Sequence, residues 1–308
     1  MAQFRIGERV VGDDQPCYII AEAGMAHEGS LGVAMSYVRA AKAAGADAVK
    51  FQMHYPTWEG TASEHFRNAV SFLQDSSRSE YWGRTSFTSQ DWLKLQGYCR
   101  GEKIDFLCSA FSREAVKALT RMNVQAYKIP SGQVVNQELL SEIASTGKPA
   151  LLSTGMSTWD EVDAALRALV SCPVAVLQCT SMYPVPPGKW GLAHIWAIIK
   201  CMKDVVPGFS DHSGGIAAGI SAVAWGAKVL EVHLALTRHG FGPDIPASLE
   251  PGELTLLVRS IRDLETELQS RLSKNDTARE LNAMRKVFMP SLQPDGRWLK
   301  SNEGVEIR

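Results

Sequence analysis

The sequence predicts an α/β protein, a (β/α)8 TIM barrel. Short β-rich apolar runs alternate with helical patterns along the chain, the units number eight, and a glycine repeatedly stops a helix just before the next run, as in AAGADAVK and STGKPALL. A chain of 308 residues suits one such core, because these barrels typically occupy about 250 residues. The predicted strands are CYIIAEA, AVKFQM, DFLCSA, AYKIPS, PALLSTG, VAVLQCTS, VVPGFSDHS and KVLEVHLAL. The predicted helices run from Leu31 to Ala44, Ser89 to Gly101, Arg113 to Met122, Gln137 to Ser145, Trp159 to Val170, Leu192 to Met202, Ile216 to Trp225 and Gly252 to Ser270. An open doubly wound sheet is the competing fold, and the GxGxxG dinucleotide fingerprint that would favour it is missing.

The domain reading is an N-terminal segment at 1–16, a barrel at 17–272 with a long loop at 54–88, and a polar C-terminal arm at 273–308. The loop contains Tyr55, Trp58, Phe66, Phe72, Tyr81 and Trp82. Long ordered loops usually carry function, so it is either a lid over the barrel mouth or a segment whose aromatics pack onto the outer helices.

At 45% hydrophobic and 21% charged residues, the composition is that of an ordinary globular protein. A formal charge of -1 without Lys/Arg blocks argues against a nucleic-acid partner. Neither a signal pattern nor a membrane-spanning apolar stretch is visible, so a cytoplasmic location is expected. Cys17, Cys99, Cys108, Cys172, Cys179 and Cys201 show no CxxC spacing and read as reduced core residues.

Polar side chains at the C-terminal ends of barrel strands all face the surface where such enzymes keep their chemistry. Here nearly every strand ends that way: Glu22, Lys50 and Gln52, Ser109, Lys128 and Ser131, Ser153, Thr180 and Ser181, Ser210, Asp211 and His212, and His233. Any one of these is more often a satisfied core residue than a functional one, and the convergence is what carries weight. Two lysines and several serines aimed at one point suit a phosphate, which backbone amides at the glycines of PSGQ and STGM would approach closely. His212 and His233, on adjacent strands, suit one divalent metal completed by other oxygen ligands. His27, His54, His65, His194 and His239 read as loop or helix residues.

The motifs IAEAGMAHEGS, GADAVKFQ, YKIPSGQVVNQELL, LLSTGMSTWDEV, QCTSMYPVPP and GFSDHSGG, followed by GAKVLEVHLAL and GPDIPASLEP, resemble the sialic acid synthase family in sequence order. The resemblance spans roughly residues 15 to 255. It implies condensation of phosphoenolpyruvate with the open-chain aldehyde of an N-acetylmannosamine-like sugar, giving a nonulosonic acid and phosphate. It also implies a divalent metal, manganese first, with magnesium or cobalt as alternatives. On this resemblance Lys50, Ser109, Lys128, Ser131, Ser153 and Ser210 bind phosphoenolpyruvate, and His212 and His233 hold the metal. Gln52, Ser181, Tyr183 and Asp244 lie by the sugar, and Glu22 joins Lys50 and Lys128 as a catalytic group handling a water's proton.

Three departures from the family pattern bear on the acceptor. Gln133 stands where the motif usually has glutamate, Ala26 where it has asparagine, and no counterpart of the family's small C-terminal antifreeze-like domain is expected within these residues. The expected partners are therefore the two substrates and a second copy in a homodimer, with a separate capping protein as an alternative. Rival readings are a 3-deoxy-sugar acid phosphate synthase-like barrel, a Schiff-base aldolase using Lys50 or Lys128, and a non-catalytic barrel that binds a ligand or a capping partner.

Overall fold

Two short strands, β1 (Gln3–Ile6) and β2 (Arg9–Gly12), open the chain as an antiparallel hairpin in what sequence reading treats as a plain segment. Its turn uses Gly7 at φ +57°, a conformation that glycine adopts without steric cost. Eight parallel strands then close a barrel: β3 (Tyr18–Gly24), β4 (Ala48–Met53), β5 (Asp105–Ala110), β6 (Tyr127–Ile129), β7 (Ala150–Ser153), β8 (Val174–Cys179), β9 (Val205–Asp211) and β10 (Val229–His233). Each pairs with its neighbours in chain order, and β10 returns to β3. The predicted (β/α)8 TIM barrel is the fold observed. The computed structural model describes residues 2–60, 74–270, 273–292 and 294–300, so Phe66, Phe72 and His65 lie outside the described residues.

The helices between strands are α1 (Leu31–Ala43), α2 (Pro56–Glu59), α3 (Arg78–Thr85), α4 (Ser89–Gly101), α5 (Arg113–Arg121), α6 (Gln137–Ala144), α7 (Trp159–Ala168), α8 (Ala193–Cys201) and α9 (Ile216–Ala224), with α10 (Pro251–Gln269) after the last strand. Several begin where a side-chain oxygen accepts an otherwise unpaired N–H of the first turn: Ser30 for α1, Thr88 for α4, Ser112 for α5, Asn136 for α6 and Thr158 for α7. The predicted helix ends therefore fall within a residue or two of the observed ones.

Along each barrel strand alternate residues point inward, and this inner set changes from apolar to polar toward the C-terminal end. On β4 it reads Ala48, Lys50, Gln52, and on β10 Val229, Glu231, His233. Tyr18, Ile20, Ala48, Leu107, Leu151, Ala175, Leu177, Val206 and Val229 fill the lower interior, and Phe4, Ile6 and Val11 of the hairpin plug it from below. The outward set, including Ile19, Val49, Phe51, Phe106 and Leu230, packs against the helices in a separate cluster. The burial of one set at the base leaves a polar cup at the top.

The chain divides into two compact units, Met1–Leu264 and Glu265–Arg308. Within the second, α11 (Lys274–Glu280) and α12 (Asn282–Phe288) precede a hairpin of β11 (Pro290–Leu292) and β12 (Trp298–Lys300), and neither helix buries a side chain. No described helix is long and apolar enough to cross a membrane. One expectation needs correcting: five of the six cysteines are buried, but Cys201, at the end of α8, is exposed.

Candidate active site

A cavity of about 520 Å³ opens at the C-terminal ends of the strands, a size that holds a small organic substrate or two. At its floor, Lys50 Nζ lies 2.8 Å from Glu22 Oε2 and donates to Ser109 Oγ at 2.8 Å. Glu231 stands between the two lysines, with Oε2 3.7 Å from Lys50 Nζ and Oε1 3.3 Å from Lys128 Nζ, and Oε1 also accepts from Ser210 Oγ at 3.2 Å. All four charged groups are buried. Burial alone would lower the pKa of Lys50, but Glu22 and Glu231 outweigh it and hold the ammonium above its ordinary value. Burial does lower the pKa of Lys128, which has one close carboxylate and a like-charged neighbour in Lys50. The two lysines attract Glu231 strongly enough to keep it below the usual carboxylate range despite its burial.

Around this floor, Ser153 Oγ, Glu22 Oε2 and Glu231 Oε2 are buried without a hydrogen-bond partner among the described residues, the two carboxylate oxygens being held by ion pairs to Lys50 alone. Buried polar atoms are nearly always paired, so an orphan facing a cavity marks a place for a ligand atom. Ser131 Oγ accepts the Gly155 N–H at 2.9 Å. A side chain at Gly155 would strike Ser181 Oγ, Cys179 Sγ and Ser131 Oγ, so only glycine lets the chain pass this close.

The opposite wall holds the groups assigned to a sugar and a metal. Gln52 Nε2 donates to Glu22 Oε1 at 2.7 Å, beside the register shift where Gly24 at φ +55° leaves room for Asp244 and Gln52. Tyr183 stacks on His212 with ring centroids 4.1 Å apart, its hydroxyl 3.1 Å from Nε2. His212 Nδ1 lies 3.0 Å from the Thr180 carbonyl oxygen, which fixes the proton on Nδ1 and makes Nε2 the acceptor of the Tyr183 hydroxyl, a contact a metal at Nε2 would replace. The ring of His233 is 5.2 Å from that of His212, and its Nδ1 is 3.9 Å from Asp244 Oδ2. Burial lowers the pKa of both imidazoles, so both are neutral and fit to be metal ligands. No further His, Cys, Asp or Glu completes a ligand cluster with them among the described residues. Any remaining metal ligands would be substrate oxygens or water.

Every residue singled out in the sequence for phosphoenolpyruvate, sugar or metal lines this one cavity: Glu22, Lys50, Gln52, Ser109, Lys128, Ser131, Ser153, Ser181, Tyr183, Ser210, His212, His233 and Asp244. Sequence reading missed Glu231, an acid inside the apolar run KVLEVHLAL. Its spacing of two from His233 was the available signal, since strand residues i and i+2 share a face.

His54 is a loop residue, as expected, but it also belongs to the cavity. It directly follows β4, lines the cavity, pairs with Glu59 at 2.7 Å and is sandwiched between Trp82 at 4.4 Å and Phe111 at 4.0 Å. The long loop accordingly supplies cavity wall through Glu59, Arg78, Tyr81 and Trp82, while Trp58 is 66% exposed. His27 is buried outside the cavity, stacked on Phe87 at 4.3 Å.

Comparison with known proteins places this architecture. A model described as the NeuB family matches residues 37–273. This chain belongs to the NeuB family. It is an enzyme of the sialic acid synthase type, a carbon–carbon bond-forming transferase. The NeuB chain is 37% identical over 272 residues to the human N-acetylneuraminate-9-phosphate synthase, covering 85% of this chain and 74% of that protein. It is 32% identical over 283 residues to the N,N'-diacetyllegionaminic acid synthase of Campylobacter jejuni, covering 86% and 81%. Among solved structures it resembles the N-acetylneuraminic acid synthetase of Leptospira borgpetersenii, determined with citrate, at a TM-score of 0.79 and 27% identity, covering 93% of this chain and 97% of that one.

Proposed function

We propose that this NeuB protein condenses phosphoenolpyruvate with the aldehyde of an N-acylated amino sugar, releasing phosphate and forming a nonulosonic acid, with a divalent metal at His212 and His233. The observation that carries this reading is the pairing of two subsites in one cavity. A buried lysine pair with an orphaned serine hydroxyl suits a phosphate, and two neutral imidazoles suit a metal that meets an aldehyde oxygen.

Lys50 and Lys128 bind the phosphate as point charges, with Ser109, Ser131, Ser153 and Ser210 as directional donors. Gln52, Ser181, Tyr183 and Asp244 hold the acceptor, and this side of the cup is the more open one. His212 and His233 would hold the divalent metal, manganese by family analogy, and the chemistry it would supply is Lewis-acid polarisation of the aldehyde carbonyl. The methylene carbon of phosphoenolpyruvate forms the new bond to the aldehyde carbon, water adds at the enol carbon, and the bond from that carbon to the phosphate oxygen breaks. Glu22, held by Lys50 and Gln52, is placed to take the water's proton, and the lysines steady the departing phosphate. Fixing two reactants in one cup also removes much of the entropic barrier.

Gln133 lines the cavity, but its side-chain oxygen accepts from Asn136 Nδ2 at 2.7 Å. An acceptor whose recognition does not need a carboxylate at this position fits that arrangement.

The test is phosphate release from phosphoenolpyruvate by the purified chain with manganese, across a panel of N-acylated, deoxy and phosphorylated sugar aldehydes, with product masses recorded. Release with one acceptor, and a product mass equal to acceptor plus pyruvate, is the expected result. No release across the panel, with manganese and phosphoenolpyruvate both bound, would overturn the reading.

A further inference from the structure

We infer that Glu231 is the internal counterion of the phosphate subsite and that it couples metal binding to phosphoenolpyruvate binding, making each favour the other. The inference rests on the functional reading above.

With no ligand, the floor of the cavity is charge-balanced. Lys50 and Lys128 are opposed by Glu22 and Glu231, all four out of water. Phosphoenolpyruvate carries a carboxylate and a phosphate monoester, about three negative charges at neutral pH. Brought alone into a balanced, buried floor, it must compete with Glu231 for both lysines and leave the cup strongly negative.

Glu231 is placed to resolve this conflict. It bridges the two lysines and accepts from Ser210, so it occupies donors that a phosphate would need. It is also two residues from His233 on one strand, facing the same interior. A dication held by His212 and His233 would therefore share this interior face with Glu231 and would attract its charge as a second partner. The lysines are correspondingly freed for the phosphate. The second oxygen of Glu231 accepts no hydrogen bond among the described residues and is held only by the longer ion pair to Lys50 at 3.7 Å, so it would turn toward that partner at little cost. Glu22 serves less well, because its ion pair with Lys50, at 2.8 Å, is shorter than either of those Glu231 makes, and its other oxygen accepts from Gln52 at 2.7 Å. Such coupling is reciprocal by thermodynamic necessity.

The experiment is isothermal titration calorimetry on the whole chain stripped of metal, with phosphoenolpyruvate and Mn²⁺ as the titrants, singly and in both orders. In the native sequence, Mn²⁺ should lower the Kd for phosphoenolpyruvate at least tenfold, and phosphoenolpyruvate should lower the Kd for Mn²⁺ by the same factor. Glu231→Gln keeps the side-chain shape and removes the charge. It should bind metal-free phosphoenolpyruvate at least tenfold more tightly, with the Mn²⁺ effect reduced to less than threefold.

A Mn²⁺ effect below threefold in the native chain overturns the inference whether or not the variant folds. A variant that keeps the full Mn²⁺ effect also overturns it, by showing that the coupling runs through direct contact of metal with substrate. If the native chain binds neither titrant, the functional reading fails first. Independent binding of both leaves that reading standing and removes only this inference.

Discussion

At the base of the barrel, Asp47 meets Arg9 Nη1 and Arg262 Nη2 at 2.9 Å each and accepts the backbone N–H of Ile19 at 2.9 Å, while at the mouth Glu231 faces Lys50 at 3.7 Å with one oxygen, which accepts no hydrogen bond among the described residues, and Lys128 at 3.3 Å with the other. Both clusters join neighbouring strands, and both mix acids with bases. The base cluster is satisfied and half open to water: Arg9 is 44% exposed, and Asp105 also accepts from Tyr18 at 2.9 Å. The mouth cluster is dry and incompletely paired. A charge that stitches strand ends can stay in contact with solvent, whereas a charge meant to grip a ligand is kept dry, where its field is least screened.

The largest expected effect comes from Lys50→Met. Glu22 and Glu231 would lose their shared cation in a buried setting, which typically costs about 3–5 kcal/mol of stability. Phosphate release should fall about a thousandfold or more, because a fixed cation aimed at the transferring group is lost; that corresponds to roughly 4 kcal/mol of barrier. Denaturant unfolding and steady-state phosphate release check the two halves separately. A variant as stable as the native chain would show that water reaches the cluster floor and would erase the contrast with the base.

His27 sharpens the comparison, since it is buried near the mouth with no charged partner. Burial holds its imidazole down to about 4, from 6.5 in the unfolded chain. Between those values the unfolded state binds more protons, so stability is full above pH 6.5 and falls as the pH drops toward 4, by about 3 kcal/mol in total. Unfolding free energies of the native chain and His27→Phe, measured from pH 7 to pH 4.5, should differ in slope. Equal slopes would mean that other groups dominate acid sensitivity.

Much of this architecture was legible in the residues. AVKFQM and DFLCSA coincide with β4 and β5 because apolar alternation starts and stops there, and Thr88 marks the start of α4 by its capping oxygen. The site residues at strand ends were visible because a lysine or histidine closing an apolar run has few structural reasons to be there. Glu231 was hidden by the opposite circumstance, a single acid within an apolar run, whose partners lie on β4 and β6 far away in sequence. His54 was passed over because it stands one residue beyond the strand, where pattern gives way to loop. The β1–β2 hairpin left a fainter trace: Phe4 and Ile6 are buried between exposed Gln3 and Arg5, an alternation too short to register without knowing what it plugs.

A smaller effect is expected at the phosphate cradle. Gly155→Ala puts a methyl group against Ser181 Oγ, 2.8 Å from Cys179 Sγ and 2.9 Å from Ser131 Oγ. Those side chains can yield only by moving into the cavity or releasing the Gly155 N–H. The KM for phosphoenolpyruvate should rise about tenfold, roughly 1.4 kcal/mol, with kcat changed much less. An unchanged KM would move the phosphate away from this side of the cup.

The smallest effect belongs to the base, and it tests the comparison from the other side. Arg9→Met removes the contacts to Asp47 at 2.9 Å and Asp105 at 3.5 Å. Asp47 keeps Arg262 and the Ile19 N–H, Asp105 keeps the Tyr18 hydroxyl, and water can reach the space the guanidinium leaves. Half-exposed ion pairs of this kind contribute about 0.2–1 kcal/mol, so stability should fall by no more than that and phosphate release should stay unchanged. Screening by salt should shrink the difference further, which a repeat of the unfolding curve at 1 M NaCl would show. A loss of several kcal/mol would place the base cluster in the same dry regime as the mouth, and burial rather than pairing would no longer separate the two ends.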